Sequence, residues 1–179
     1  MDFKCSTDKY TKIQTIIYFG PYLTAIFFLT IFFAFNSDPF QWDVYVFTVS
    51  ILLFIYFSRY FTKPVSYTII NNMLIIRRKV NNIKISFDEI YTVKYDTMEE
   101  YRLINWSDFI NTQYYFFGGF YWGGKIFLTK LGEVRLYMTQ LKNFLVIETG
   151  KHGKIIITPD DLRILDHFTC YKEYPPYMY

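Results

Sequence analysis

Residues 67–95 read YTIINNMLIIRRKVNNIKISFDEIYTVKY. Two β-rich runs, Tyr67–Ile70 and Met73–Val80, flank Asn71-Asn72, and Asn is one of the few residues besides Gly that accepts the left-handed backbone of a tight hairpin turn. The same pair recurs at Asn81-Asn82 and leads into Ile83–Phe87. This pattern predicts a three-stranded antiparallel meander. Ile90–Tyr95 follows as a fourth strand after the polar corner Asp88-Glu89.

Upstream, Thr15–Phe35 (TIIYFGPYLTAIFFLTIFFAF) holds 21 residues without a charge, against the roughly 20 that cross a hydrocarbon core. Val44–Phe61 (VYVFTVSILLFIYFSRYF) carries one charge, Arg59, near its end, where a long cationic side chain reaches the headgroups. Two membrane spans are predicted, over 15–35 and 44–61. The short linker Asn36–Asp43 folds them into an antiparallel hairpin with both flanks on one side of the bilayer. Lys4, Lys9 and Lys12 precede the first span, Arg59 and Lys63 end the second, and the linker has no Lys or Arg. That bias places both flanks in the cytoplasm. The first apolar run is longer than the core of a signal peptide, and no A-x-A site follows it. Trp42, Tyr45, Tyr60 and Phe61 fall where an interfacial aromatic belt belongs. Neither hydrophobic centre holds Asp, Glu, Lys or His, so a proton relay or ion path lacks its residues. The hairpin reads as an anchor, and the chain divides into 1–63, terminal segment and hairpin, and 64–179, a cytoplasmic domain.

That domain carries 14 Lys and Arg against 12 Asp and Glu, an ordinary soluble balance. Downstream of the meander, Lys125–Thr129, Val134–Thr139, Asn143–Thr149 and Lys154–Thr158 read as strands separated by turns at Leu131-Gly132 and Gly150–Gly153. KIIIT, at 154–158, is a short apolar β-branched run suited to a buried strand. Residues 97–124 have no clean period and end in the aromatic, glycine-rich YYFFGGFYWGG at 114–124. At the far end, Thr158-Pro159-Asp160-Asp161 predicts a helix with Thr158 at the N-cap, Pro at the first helical position and two acids in the first turn. Leu162, Leu165 and Phe168 give it an apolar stripe.

An antiparallel meander, a second set of strands and one C-terminal helix is the order of a pleckstrin-homology-like barrel. Residues 114–165 resemble the C-terminal half of the bacterial PH-like domains, small domains often attached to membrane spans. The shared features are Gly118-Gly119 with Gly123-Gly124, the strand Gly132–Thr139, Leu145–Gly150 running into a β-turn, and the helix start Ile157-Thr158-Pro159-Asp160-Asp161. Ile83–Val93 is similar to the family's third strand and corner, with Phe87 after Ser86 where a Pro is usual. The resemblance implies a mostly-β PH-like barrel of about seven antiparallel strands with a C-terminal capping α-helix, held at a bacterial inner membrane. It brings no catalytic residues.

Composition narrows the rest. Apolar residues make up 52% and aromatics 23%, too many for a disordered chain. A net charge of +3 lacks the dense cationic stripe of a nucleic-acid binder, and nucleic acid is set aside. Arg77, Arg78, Lys79 and Lys84 form the densest basic cluster. Two readings of it stand: contact with anionic headgroups, or a solvated strand edge whose charge resists aggregation. Strand alternation puts Arg77 and Lys79 on one face and Arg78 on the other. The four glycines match no phosphate-binding loop and suit turns or close packing beside aromatics. His152 and His167 lack neighbours spaced as metal ligands, Asp160 and Asp161 suit capping rather than acid–base work, and Cys5 and Cys170 read as free thiols. No cofactor, metal or catalytic set is expected. The chain reads as a non-enzymatic anchored module that docks a protein partner or an anionic membrane surface. An accessory subunit of a larger membrane complex is the alternative, with Gly20, Ala25 and Ser50 as the small residues that helix packing uses.

Overall fold

The computed structural model describes residues 1–35, 39–96, 116–117, 120–128, 132–168 and 172–173. Residues 36–38 of the linker, most of the span 97–124, Thr129, Leu131 and Cys170, all read above, lie outside the described residues.

A short strand β1 (Asp2–Lys4) precedes two long helices, α1 (Lys9–Phe35) and α2 (Pro39–Thr62). Both helices are long and apolar enough to cross a membrane, and 6% and 0% of their apolar windows are buried, so neither is the core helix of a globular domain. At about 1.5 Å per residue, α1 is about 40 Å long against a hydrocarbon core of about 30 Å. The helices run antiparallel along one seam. Phe19 meets Tyr56 with ring centroids 5.1 Å apart, Thr30 and Tyr45 share a hydroxyl hydrogen bond of 2.7 Å, and Phe33 lies 6.3 Å from Trp42.

Strands β2 (Pro64–Ile70), β3 (Met73–Arg78), β4 (Ile83–Ser86), β5 (Ile90–Asp96), β6 (Phe116–Phe117), β7 (Trp122–Leu128), β8 (Gly132–Met138), β9 (Phe144–Thr149), β10 (Gly153–Ile157) and β11 (Lys172–Glu173) follow. The predicted meander is present as β2–β3–β4, in register Ile69↔Leu74 and Leu74↔Ile85. Asn71 and Asn72 take φ of 50° and 59°, the left-handed pair that a two-residue hairpin turn demands. Replacing Asn71 by Val is expected to lower stability by about 1–2 kcal/mol, and by Gly to leave it nearly unchanged, in thermal unfolding of the purified chain. The second Asn pair behaves differently. Asn81 alone is left-handed, with φ of 57°, and the Asn82 side chain instead accepts the Arg78 N–H at 2.9 Å. The β3–β4 connection is therefore wider than the first.

The expected closed barrel of about seven antiparallel strands is corrected to two sheets. Among the described residues, one has the order β1-β2-β3-β4 and the other β11-β5-β9-β10-β8-β7-β6. Two pairings, β8 with β10 and β5 with β11, are parallel. The cause is the corner between β4 and β5, a 3-10 turn at Phe87–Glu89 capped by the Ser86 hydroxyl. It carries the chain out of the first sheet, and β5 pairs with β9 instead of β4. The main core fills the space between the sheets: Phe3, Tyr67, Leu74, Ile76 and Ile85 face Val93, Leu145, Ile147, Ile155 and Ile157. Phe144, Val146 and Ile156 pack on the opposite face of the second sheet with Trp122, Val134, Leu136 and Met138. Burial on both faces explains why β9 and β10 are almost wholly apolar, as KIIIT suggested.

The capping α-helix is corrected as well. Leu162–Phe168 is a 3-10 helix with Ile164 and Phe168 buried, and Thr158 is not its cap. Thr158 is fully buried; its hydroxyl accepts the Thr139 N–H at 3.1 Å and its own N–H is donated to the Tyr67 hydroxyl at 3.2 Å. Asp161 takes the capping role, accepting the Arg163 N–H at 2.9 Å. Asp160 is committed elsewhere.

Candidate functional site

The β domain and the helix pair meet at a junction built from three parts of the chain. The first is the segment 5–8, each residue of which is tied to the domain or to Lys63, directly after α2. The Cys5 thiol bonds the Tyr67 and Thr139 hydroxyls at 3.3 and 2.8 Å. Ser6 gives its N–H and hydroxyl to the Asp160 carboxylate at 2.7–3.1 Å. The Thr7 hydroxyl accepts the Lys63 ammonium at 2.5 Å. Asp8 caps α1 by accepting the Thr11 N–H at 2.7 Å, and its other oxygen accepts the Leu141 N–H at 2.8 Å. With β1 hydrogen-bonded along β2 in register Phe3↔Tyr67, no free linker separates the domain from α1. Burial pushes the Cys5 and Tyr67 pKa values up and the Lys63 pKa down, since each loses water that would solvate its charged form.

The second part is the aromatic segment. Phe120 packs against Phe19, Tyr56 and Tyr60, with ring centroids 5.0, 5.1 and 5.4 Å away. The Tyr121 hydroxyl donates to Thr62 Oγ1 at 3.2 Å, and the Trp122 indole donates to the fully buried Thr11 at 3.2 Å while stacking on Tyr10. Gly123 makes this possible: a Cβ there would lie 2.0 Å from the Tyr121 ring. Close packing beside aromatics, read from the sequence for these glycines, is what Gly123 does. The docking of the segment onto both helices was not read; the run of aromatics was its signal.

The third part is the β3–β4 turn. Its Val80 N–H donates to the Phe61 carbonyl at 3.3 Å, and the Lys79 ammonium stands 3.6 Å over the Tyr60 ring, a cation–π contact. This turn separates the predicted basic cluster. Arg78 reaches the Asn81 carbonyl with its guanidinium, its Nε buried without a partner in the structure, and Lys79 leans on α2. Arg77 lies on the outer face of the first sheet, where Nε bonds Thr68 Oγ1 at 2.7 Å and stands 3.8 Å from the Asp2 carboxylate. Lys84, exposed and opposite Ile75, shares that outer face. Arg77 thus faces away from the core with Lys84, while Lys79 sits in the turn. The exposed Lys4 joins them in the same row as Ser66 and Arg77.

The residues set aside for chemistry remain apart. His167 meets Phe3 edge-on at 5.7 Å, and the His152 N–H bonds Thr149 in the β9–β10 turn. Among the described residues no group of three His, Cys, Asp or Glu is arranged to hold a metal ion. What the junction offers is a cationic, aromatic rim around the domain-proximal ends of both helices: Lys12, Arg59, Lys63 and Lys79 with Tyr10, Tyr56, Tyr60 and Phe120.

Comparison with curated proteins and with solved structures gives no match. The family model of the bacterial PH domain matches residues 65–172, from the start of β2 into β11. That covers more than half of the chain, including both sheets apart from β1 and the end of β11. The chain belongs to the bacterial PH domain family.

Proposed function

We propose that this protein is a non-enzymatic, membrane-anchored PH-like module. Its helices cross the cytoplasmic membrane as a hairpin, with the N-terminal segment and the β domain in the cytoplasm. The tip of its basic hairpin, Arg78 and Lys79, meets anionic headgroups, with Arg77 and Lys84 on the sheet face beside it. The observation that carries this reading is the hydrogen bond from Val80 to Phe61. It fixes the β3–β4 turn at the last turn of α2, the level of the headgroups if α2 spans. Juxtamembrane basic residues contribute about 1 kcal/mol each near an anionic surface.

Topology and lipid contact are tested on the full chain in a Cys170→Ser background, with one cysteine added at Ser37 or Asn82 and the buried Cys5 controlled by the same chain without the added cysteine. A membrane-impermeant maleimide added to intact cells is expected to label position 37 and to label position 82 only after the cells are opened; the reverse pattern refutes the orientation. In proteoliposomes, a fluorophore at position 82 is expected to be quenched by headgroup-labelled lipid in anionic but not neutral vesicles. High salt and the double change Arg78→Ala, Lys79→Ala are each expected to remove the difference. Equal quenching in both vesicle types removes lipid contact and leaves protein docking.

A further inference from the structure

A cavity of about 210 Å³ lies between α1 and α2, lined by Phe19, Tyr22 and Ile26 from one helix and Leu52, Ile55 and Tyr56 from the other. Each set follows the three- and four-residue spacing of one helix face. The cavity opens sideways: Leu23 and Phe57, at its border, are 56% and 48% exposed. An apolar cavity of this size excludes water and accepts an apolar guest.

Its two ends differ. Toward the β domain, Arg59 follows Ile55 by one turn in the last turn of α2, and Lys63 comes directly after the helix ends at Thr62. Lys12 lies in the first turn of α1, its N–H bonded to the Asp8 carbonyl, and Lys79 stands over the Tyr60 ring, so both are at this same end. Asp8 has its carboxylate committed to the Thr11 and Leu141 N–H groups. Toward the α1–α2 connection, the residues beside the seam are Phe33, Tyr45 and Trp42, with no cation among the described residues. An occupant therefore has an apolar tail along the seam and a negative head at the domain end.

We propose that this groove holds one acyl chain of an anionic diacyl phospholipid from the surrounding leaflet, with its phosphate retained at Arg59. Tyr18 and Tyr22, whose rings lie 5.9 Å apart, flank the place where the glycerol backbone would lie. This rests on the spanning hairpin proposed above but not on the β3–β4 tip, because the groove is formed by the helices alone.

The test is native mass spectrometry of the full chain in mild detergent, titrated with phosphatidylglycerol and with phosphatidylcholine of the same chains. Preferential retention of phosphatidylglycerol is expected. Arg59→Gln is expected to weaken it about fivefold, and Leu52→Phe, which fills the groove, to weaken both lipids. Lys151→Gln, at an exposed position of the β9–β10 turn, is expected to change neither, and thermal unfolding of each variant checks that it is folded. Equal retention of the two lipids, or an Arg59→Gln chain that binds phosphatidylglycerol as the native one does, overturns the proposal. Alkaline carbonate washing of proteoliposomes separates the two failures. A chain that washes off refutes the spanning hairpin, and a chain that stays without lipid preference refutes the groove alone.

Discussion

Tyr67→Phe is expected to lower the unfolding free energy by about 3 kcal/mol, although it removes one atom. Tyr67 is fully buried between the sheets. Its hydroxyl donates to the Tyr137 carbonyl at 2.7 Å and accepts from the Thr158 N–H at 3.2 Å and the Cys5 thiol at 3.3 Å. One oxygen thereby joins the first sheet, the second sheet and the N-terminal segment. Phe fills the same volume but takes a partner from the buried Thr158 N–H and from the Tyr137 carbonyl, and a buried polar group that loses its partner costs about 1–3 kcal/mol. Equilibrium denaturation of the purified chain in detergent measures the loss. A decrease under about 0.5 kcal/mol would mean that the two sheets are not joined through this group.

Asp160→Ala is expected to release the segment 5–8 without unfolding the domain. The carboxylate accepts three hydrogen bonds from Ser6, and its own N–H is donated to the Lys4 carbonyl at 3.1 Å. Because the site is solvent-exposed, the side chain is credited with about 2 kcal/mol rather than the sum of three charge-assisted bonds. Cys5 reports the result. Its thiol is 8% exposed, and burial keeps it protonated and inert. In a Cys170→Ser background, labelling requires local opening, and a loss of about 2 kcal/mol raises its rate roughly 30-fold. An unchanged rate would show that β1 alone holds the segment.

The sequence is informative where one interaction range decides the outcome. Asn71-Asn72 announces its turn because left-handed backbone is a local property, and the two apolar helices announce themselves by length and charge. KIIIT could be read as buried because its three consecutive isoleucines, 155–157, are apolar whichever face each occupies. The failures lie where a partner distant in sequence decides. Nothing in Asp2-Phe3-Lys4 marks a strand; it is one because β2, more than sixty residues on, offers an edge. Thr158 has every local feature of a cap, yet Thr139 and Tyr67 claim its hydroxyl and N–H, and Ser6 claims Asp160. The basic run from Arg77 to Lys79 looked like one cluster on alternating faces. The end of β3 at Arg78 and the hold of α2 on Lys79 and Val80 divide it. The closed barrel failed at the Phe87–Glu89 corner, whose direction composition does not specify.

The placement of β1 bears on how the protein is made. Strands β1 and β2 are neighbours in the first sheet but are separated in synthesis by both helices. If the helices span, β1 emerges from the ribosome first and waits for its partner until the second span has been delivered to the bilayer. A chain that inserts one helix and not the other leaves the two strands in different compartments. Phe3 and Cys5 are then absent from the core, and Tyr67 loses one of its three partners. With a spanning hairpin the sheet would act as a proofreader of insertion, because a chain threaded the wrong way could not finish its domain and would stay open to quality-control proteolysis.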